Sequence, residues 1–163
     1  MNTPDLAAIV NTYYGRARDA LLPALWDVQT AFGHISPEAV RLLSHALRVP
    51  EADIYGVIGF YTLYHNEPTG DTIIRICTSP ICGVSGSSAL LERLCHRLNI
   101  EDGGTTPDGQ YTVEHSPCLG LCDHAPAALI SRRGRSEITH APITDLDALL
   151  AEPAKPHGAV AAG

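Results

Sequence analysis

The feature that most constrains the fold of this chain is the placement of four of its five cysteines. They form two unequal pairs, Cys77 with Cys82 and Cys118 with Cys122, and both pairs lie in loops that carry proline and glycine. A β-branched run over residues 72–76 leads directly into the first pair. If the four thiols serve one site, the fold must bring two loops that are distant in sequence to the same place.

Four cysteines from two loops suit a metal centre, and we interpret them first as ligands of one [2Fe–2S] cluster, which makes the chain an electron carrier. Structural zinc remains an alternative, because it also accepts four cysteines and tolerates spacers of three or four residues. A disulfide framework is disfavoured by the odd cysteine count and by an N-terminus without the basic and apolar regions of a signal peptide.

The fifth cysteine, Cys95, belongs to a different pattern. Apolar residues recur around it at the spacing of one helical face, at Leu90, Leu91, Leu94 and Leu98. A free cysteine on such a face behaves as a small buried hydrophobe. We therefore expect Cys95 to be a core residue and not a ligand.

Composition excludes several classes of function. The chain has 163 residues, 45% of them hydrophobic, and a formal net charge of −7, so it is globular and lacks the basic face that nucleic-acid binding needs. No apolar run approaches the length of roughly 18 residues that spans a membrane, and we expect a cytoplasmic protein. No phosphate-binding glycine motif and no hydrolytic constellation is present, so we assign no catalytic residue.

Helical patterns fill residues 1–68, which we predict to be a helical segment. Thr3 and Pro4 are placed to start a helix whose apolar stripe reaches Ala17. Further helices are expected before Gly33, from Ser36 to Pro50, and over residues 51–59. We interpret Trp26 and the aromatic residues at 60–64 as core packing.

Residues 69–152 predict a small α/β domain after a turn-rich linker at 66–71. The expected order is a strand ending at Cys77, a helix over Ser87–Leu98, strands at 111–113 and 127–131, and a helix around 144–151. One strand then carries each cysteine pair into a loop at its end. The Pro-, Gly- and Ala-rich residues 153–163 are expected to be a flexible tail.

Longer motifs around these cysteines resemble a known family. The segments Cys77-Thr-Ser-Pro-Ile-Cys82-Gly and Cys118-Leu-Gly-Leu-Cys122, followed by Ala125-Pro126, are similar to the ligand loops of the small iron–sulfur subunit of NADH-oxidising flavoprotein modules. That is the thioredoxin-like [2Fe–2S] ferredoxin family found in respiratory complex I. The residues at 32–35 and 54–61 also resemble its helical N-terminal region.

The resemblance implies a thioredoxin-like [2Fe–2S] ferredoxin domain preceded by an N-terminal helical bundle segment. It implies that Cys77, Cys82, Cys118 and Cys122 are the cluster ligands. It also implies an FMN-containing, NAD(H)-binding flavoprotein subunit as partner within a larger oxidoreductase complex, so that FMN and NAD(H) bind to the partner and not to this chain. The chain alone is then not expected to turn over NAD(H).

Several parent complexes fit the resemblance: complex I, an NAD-linked [NiFe] hydrogenase, or an NAD-linked formate dehydrogenase. Asp123-His124 after the last cysteine departs from the complex I pattern, and so does the segment 131–136. A free-standing ferredoxin shuttle is a further alternative, although the long helical N-terminus argues against it.

Five residues near the cysteines are candidates for tuning the cluster. Arg75 shares a strand face with Cys77 by alternation, or else lies on an exposed sheet surface. Gly83, Gly86 and Gly120 either allow backbone N–H groups to approach sulfur or merely serve tight turns. His124, two residues after Cys122, is either an exposed loop histidine or a group close to the cluster.

Overall fold

Two units make up the chain, Met1–Thr69 and Gly70–Gly163. The structure is a computed structural model that describes residues 5–133, 138–142, 146 and 150. Helices alone form the first unit, whereas the second combines helices with a four-stranded sheet. The predicted tail at 153–163 lies outside the described residues.

The first unit contains four α-helices, and a short 3-10 turn at Arg18–Ala20 precedes the second of them. Their bounds are α1, Leu6–Asn11; α2, Leu21–Phe32; α3, Pro37–Leu47; and α4, Glu51–Phe60. The Ser36 side chain caps α3 by accepting a hydrogen bond from the Ala39 N–H at 3.2 Å, with Pro37 in the first turn as the sequence predicts.

The core of this unit consists of aliphatic side chains from all four helices and their connections. The most deeply buried large residues are Leu25, Val28, Ile35, Val40, Leu43 and Ile54. Hydrogen bonds connect the helices of this unit to its loops. In particular, Gln29 on α2 donates from Nε2 to the Leu63 carbonyl at 2.5 Å and accepts from the His65 N–H at 2.7 Å.

The second unit holds strands β1, Thr72–Cys77; β2, Tyr111–Ser116; β3, Ala127–Arg132; and β4, Ile138–Pro142. The strand order is β2-β1-β3-β4. β1 and β2 are parallel, and the other two pairings are antiparallel. Two helices connect β1 to β2: α5, Pro80–Val84, and α6, Ser87–Leu98.

All six residues of β1 are buried, and they divide between the two faces of the sheet. Ile74 and Ile76 pack in one core with Leu91, Leu94 and Cys95 of α6. Alternation places Arg75 and Cys77 on the opposite face. Because the carboxyl ends of parallel strands meet at one edge, the loops after β1 and β2 emerge side by side, and these are the loops that carry the cysteines.

Five expectations need correction. The sheet has a fourth strand, β4, which was not predicted; it ends in Pro142, and an edge strand tolerates proline because one side has no ladder to complete. β2 extends to Ser116 instead of residue 113. The short helix α5 was not predicted either.

The fourth correction concerns the aromatic residues at 60–64: Phe60 and Tyr61 are not core residues, because they are 77% and 43% exposed. The fifth concerns the first helix, which begins after Asp5, whose side chain accepts from the Ala7 N–H at 3.0 Å, and ends at Asn11 instead of continuing to Ala17. Thr3 and Pro4 lie outside the described residues, as does most of the helix predicted at 144–151, of which Leu146 and Leu150 are helical. Within the part of the chain that is described, no helix has the length and apolar character needed to cross a membrane.

Candidate metal centre

The four cysteines of the two pairs lie in four different backbone segments. Cys77 is the last residue of β1, and Cys82 lies in α5, which starts three residues later. Cys118 follows the end of β2, and Cys122 opens a 3-10 turn, Cys122–His124, before β3. All five cysteines of the chain are free thiols.

The first pair is buried, with Cys77 at 1% and Cys82 at 2% exposure. Burial raises the pKa of the Cys77 thiol, but the backbone N–H groups of Ser79 and Leu119 and hydrogen bonds from the Cys82 and Ser79 side chains outweigh it, so the net pKa is lowered. Burial raises the pKa of Cys82, opposed by the backbone N–H of Ala127. The pKa values of the two neighbouring thiols are therefore shifted in opposite directions.

The second pair is exposed. The Gly120 N–H donates to the Cys118 sulfur at 3.4 Å, and Gly120 adopts φ +76°, a left-handed conformation that few other residues adopt. The hydrogen bond between Cys122 and Cys118 is the largest cause of the raised pKa of Cys122. The loop thus turns tightly between two cysteines and directs an amide at one sulfur.

The two pairs are neighbours. The charge of Cys77 raises the pKa of Cys122, and the charge of Cys122 raises the pKa of Cys82, so thiolates of both pairs affect each other. Cys77 and Cys82 form a buried apolar cluster with Ala127. Three partly buried residues of the second loop pack against that cluster: Leu119, Leu121 and Ala125. The loop that carries the second pair therefore packs against the buried first pair and shields it with aliphatic groups.

This donor set fits a cluster of two metal atoms. Four thiols in two pairs would supply two sulfur ligands for each metal, and backbone N–H groups at Cys77, Cys82 and Cys118 would offset the negative charge of metal-bound sulfur.

Cys95 lies apart from this site. It is 8% exposed and packs in the core between the sheet and α6, where burial raises the pKa of its thiol. This agrees with the expectation that Cys95 is a core residue.

The structure also distinguishes the interpretations of the other candidates. Gly120 both forms a turn and donates its N–H to the Cys118 sulfur, whereas Gly83 is helical and its Cβ position lies in ordinary contact with the Thr78 carbonyl at 3.7 Å. The side chain of His124 is 59% exposed, 3.4 Å from Asp123. Arg75 is buried, with 3% exposure, and does not lie on an exposed sheet surface.

Sequence reasoning missed the amide donors. Ser79, Leu119 and Ala127 act on the cysteines through backbone N–H groups, which a pattern of side chains does not reveal. A usable signal was present for Ser79, since Ser79-Pro80 matches the N-cap and first position of a helix and predicts the short helix α5. The sequence alone also did not identify Glu114 as the partner of Arg75, because this pairing depends on the register of β1 and β2.

Comparison with known families gives a match over nearly the whole chain. The sequence model of the thioredoxin-like [2Fe–2S] ferredoxin family matches residues 6–151. This range contains both cysteine pairs and both units of the fold.

Several similar curated proteins are subunits of NADH-quinone oxidoreductases. The chain is 35% identical over 127 residues to a subunit of the NADH-quinone oxidoreductase of Mycobacterium tuberculosis, covering 78% of this chain and 50% of that protein. It is 34% identical over 119 residues to the corresponding subunit from Aquifex aeolicus, covering 73% and 74%. The corresponding subunit from Escherichia coli K12 is 33% identical over 134 residues, covering 82% and 81%.

Solved structures include the NAD+-reducing [NiFe]-hydrogenase in its air-oxidized state. Its similarity has a TM-score of 0.68 with 30% identity, covering 80% of this chain and 22% of that chain. The H2-reduced state of the hydrogenase gives the same TM-score and covers 83% of this chain. The chain spans about half the length of the mycobacterial relatives and about a fifth of the hydrogenase chain.

Proposed function

The chain belongs to the thioredoxin-like [2Fe–2S] ferredoxin family, and from that premise we propose that it is the electron-transfer subunit of an NAD(H)-linked flavoprotein oxidoreductase of the NADH:quinone oxidoreductase type. Its cofactor is a [2Fe–2S] cluster. We propose that Cys77, Cys82, Cys118 and Cys122 are the four ligands. Cys95 has no role in this proposal.

The observation that supports the proposal most directly is the packing of the second cysteine loop against the buried pair Cys77 and Cys82, together with the Gly120 N–H that donates to the Cys118 sulfur. An iron–sulfur cluster, when bound, takes up and releases one electron at a time. The protein's part is to fix the thiolates and to offset negative charge with the amides of Ser79, Leu119, Ala127 and Gly120.

The two pairs have different surroundings, and each suits a separate task. Cys77 and Cys82 are buried among Ala127, Leu119 and Leu121, which exclude water from that side of the site. Cys118 and Cys122 are exposed. We propose that electrons enter and leave through the side formed by the exposed pair, because electron transfer requires close approach of a second redox group.

The partner is proposed to be a flavoprotein subunit that binds FMN and NAD(H). The names of the relatives in M. tuberculosis, A. aeolicus and E. coli, and that of the hydrogenase, all contain NADH or NAD+. Nicotinamide delivers electrons in pairs, as hydride, whereas the family's cofactor accepts them singly. A flavin between the two resolves this mismatch, which is why we place NAD(H) chemistry on the partner and not on this chain.

Reduction of the reconstituted protein by NADH tests the proposal. We expect NADH alone to leave the reduced-cluster EPR signal absent, and NADH with the co-expressed flavoprotein subunit to produce it. Cys118→Ser should abolish the signal that NADH and the flavoprotein produce together, and Cys95→Ala should not. Reduction by NADH without a flavoprotein would contradict the division of labour between the subunits.

An equivalent subunit of an NAD-linked hydrogenase is the second candidate. The observation that favours it is the TM-score of 0.68 at 30% identity, an identity close to the 33–35% shared with the quinone-reductase subunits. Affinity purification from the native source decides between them, since a quinone-reductase assembly and a hydrogenase assembly retain different catalytic subunits. Rapid reduction and reoxidation by soluble carriers, with no stable complex, would instead indicate a ferredoxin shuttle.

A further inference from the structure

A buried arginine lies on the strand that leads into the proposed site. Arg75 is in the middle of β1, two residues before Cys77, and its exposure is only 3%. Alternation along the strand puts the two side chains on the same face, and two residues of strand correspond to a rise of roughly 7 Å. A buried positive charge therefore lies on the same face of the sheet as Cys77, close to the first pair of cysteines.

Both neighbouring strands hold this guanidinium in place. Arg75 is directly opposite Glu114 of β2 in the register and forms an ion pair with it through Nε. On the other side, Nη1 donates to the Ser131 hydroxyl of β3 at 2.8 Å. Burial lowers the pKa of Arg75, opposed by Glu114, and burial raises the pKa of Glu114, opposed by Arg75. An arginine nevertheless stays protonated in proteins, so the charge persists.

Stability does not explain why this pair is present. The desolvation of two buried charges commonly offsets their attraction, and replacement of such a pair by apolar residues of similar size is often neutral or stabilising. The surrounding face already contains the buried aliphatic residues Ile73 and Leu129. A methionine or leucine at position 75 would suit these neighbours, so the charge calls for a reason other than packing.

The orientation of the Arg75–Glu114 ion pair gives an electrostatic reason for the buried charge. The guanidinium reaches from β1 toward β3, and the carboxylate belongs to β2. Cys77 ends β1, and Cys82 receives the N–H of Ala127, the first residue of β3. The positive end of the ion pair is thus on β1, two residues before Cys77, and extends toward β3, whereas the negative end is on the neighbouring strand β2.

We propose that Arg75, positioned by Glu114 and Ser131, raises the reduction potential of the [2Fe–2S] cluster. Reduction adds one electron and no obligatory proton, so the site becomes one charge more negative, and a nearby buried cation stabilises that state. This inference rests on the proposed ligand set. It assigns Arg75 a positioning role through charge, without contact to the reacting atoms.

The test is an EPR-monitored redox titration of the reconstituted protein at pH 8 with chemical mediators and no partner chain. Arg75→Met should lower the midpoint potential, and Glu114→Gln should raise it. At an effective dielectric constant near 20, a unit charge roughly 12 Å away changes the reduced-to-oxidised ratio about tenfold, which is about 59 mV for a one-electron couple. Arg75→Lys, which keeps the charge, should stay close to the wild type.

Arg93→Met is the matched control, because Arg93 is exposed on α6 and its loss changes the net charge equally. Its midpoint should equal that of the wild type. Should Arg75→Met fail to retain the cluster, Glu114→Gln and the double variant Arg75→Met/Glu114→Leu decide, with a rise and a fall expected respectively. Equal midpoints in all cluster-containing variants, or a fall in Glu114→Gln, would overturn the proposal. Failure of the proposed function is separate, because it appears as a missing wild-type signal or as no NADH-dependent reduction.

Discussion

Gly120 donates its backbone N–H to the sulfur of Cys118 at 3.4 Å, from a left-handed backbone conformation with φ +76°. An alanine there would carry a penalty of roughly 1–2 kcal/mol in that conformation. We therefore expect Gly120→Ala to weaken the loop between Cys118 and Cys122 and to speed cluster loss about tenfold. The rate of iron release to a chelator, followed by the decay of visible absorbance, measures this.

Gly83→Ala is the matched control for that substitution. Gly83 is helical, and a Cβ there meets only the Thr78 carbonyl, at the ordinary distance of 3.7 Å. Its cluster should be lost at the wild-type rate. An equal increase in the rate of cluster loss in both variants would show that the left-handed conformation of Gly120 does not determine how well the cluster is retained.

Substitution of single cysteines tests the ligand set. Cys82→Ser should remove most of the iron and acid-labile sulfide, because the buried pair then lacks one of its two sulfur donors. Cys95→Ala should retain wild-type contents, since Cys95 packs in a different core between the sheet and α6. Iron and sulfide analysis with EPR of the reduced protein measures both, and matching losses in the two variants would contradict the assignment.

The hydroxyl of Tyr13 donates to Asp27 at 2.5 Å. Burial and the bond to Asp27 raise the pKa of Tyr13 to about 12. Because the folded state prefers neutral Tyr13, this stabilisation is complete below about pH 10, the pKa of an unperturbed tyrosine, and is lost as the pH rises toward 12. Tyr13→Phe should therefore be less stable than the wild type at pH 8, and the difference should shrink above pH 10.

Urea unfolding at several pH values gives the required free energies for Tyr13→Phe. Tyr55→Phe, at an exposed position on α4, is the control and should show no such pH-dependent difference. A constant gap between Tyr13→Phe and the wild type from pH 8 to 12 would contradict the argument.

Gln29 joins α2 to the backbone after α4 through two hydrogen bonds, to the Leu63 carbonyl and from the His65 N–H. Gln29→Leu removes both hydrogen bonds, and each contributes about 0.5–1.5 kcal/mol because the groups are half-buried. We expect a loss of roughly 1–3 kcal/mol in unfolding free energy, measured by urea denaturation. Gln29→Glu keeps the acceptor for the His65 N–H, so its unfolding free energy should fall less than that of Gln29→Leu. An equal fall in the two variants would show that the hydrogen bonds are not the cause of the lost stability.

Gly70 lies so close to β2 that a Cβ would be 2.6 Å from the Tyr111 carbonyl carbon and 2.8 Å from the Thr112 nitrogen. These are backbone atoms of a paired strand, so Gly70→Ala should destabilise the protein by about 1–3 kcal/mol. Gly56 in α4 offers the opposite case, because its Cβ position has no atom of the described chain within 4 Å. Gly56→Ala should stabilise by about 0.5–1 kcal/mol, and thermal unfolding of the two variants compares them.

Local signals predicted most elements of the first unit. Ser36-Pro37 marks the start of α3, and Pro50 separates α3 from α4. The start and end of α1 were not predictable in the same way. Asp5 competes with Thr3 as a cap, and the chain leaves the helix after Asn11 although apolar residues continue at helical spacing.

The site was predictable as a set of residues but not as an arrangement. Cys77, Cys82, Cys118 and Cys122 stand out by type and spacing. The burial of Arg75 was not readable, because its partners Glu114 and Ser131 are 39 and 56 residues away and meet it only through strand register. β4 was missed for a related reason: a short strand ending in Pro142 is acceptable only at the edge that β3 leaves open.

The parallel pairing of β1 with β2 also determines the order in which the protein can be assembled. Cys77 and Cys82 leave the ribosome well before Cys118 and Cys122, and the two pairs become neighbours only after α6 has folded back and the strands have aligned. A cofactor that joins both pairs closes a long loop and so restricts the unfolded chain as a cross-link does. The proposed ligand set therefore links cluster insertion thermodynamically to completion of the sheet, so that slow delivery of iron and sulfide would prolong the time that the chain spends incompletely folded.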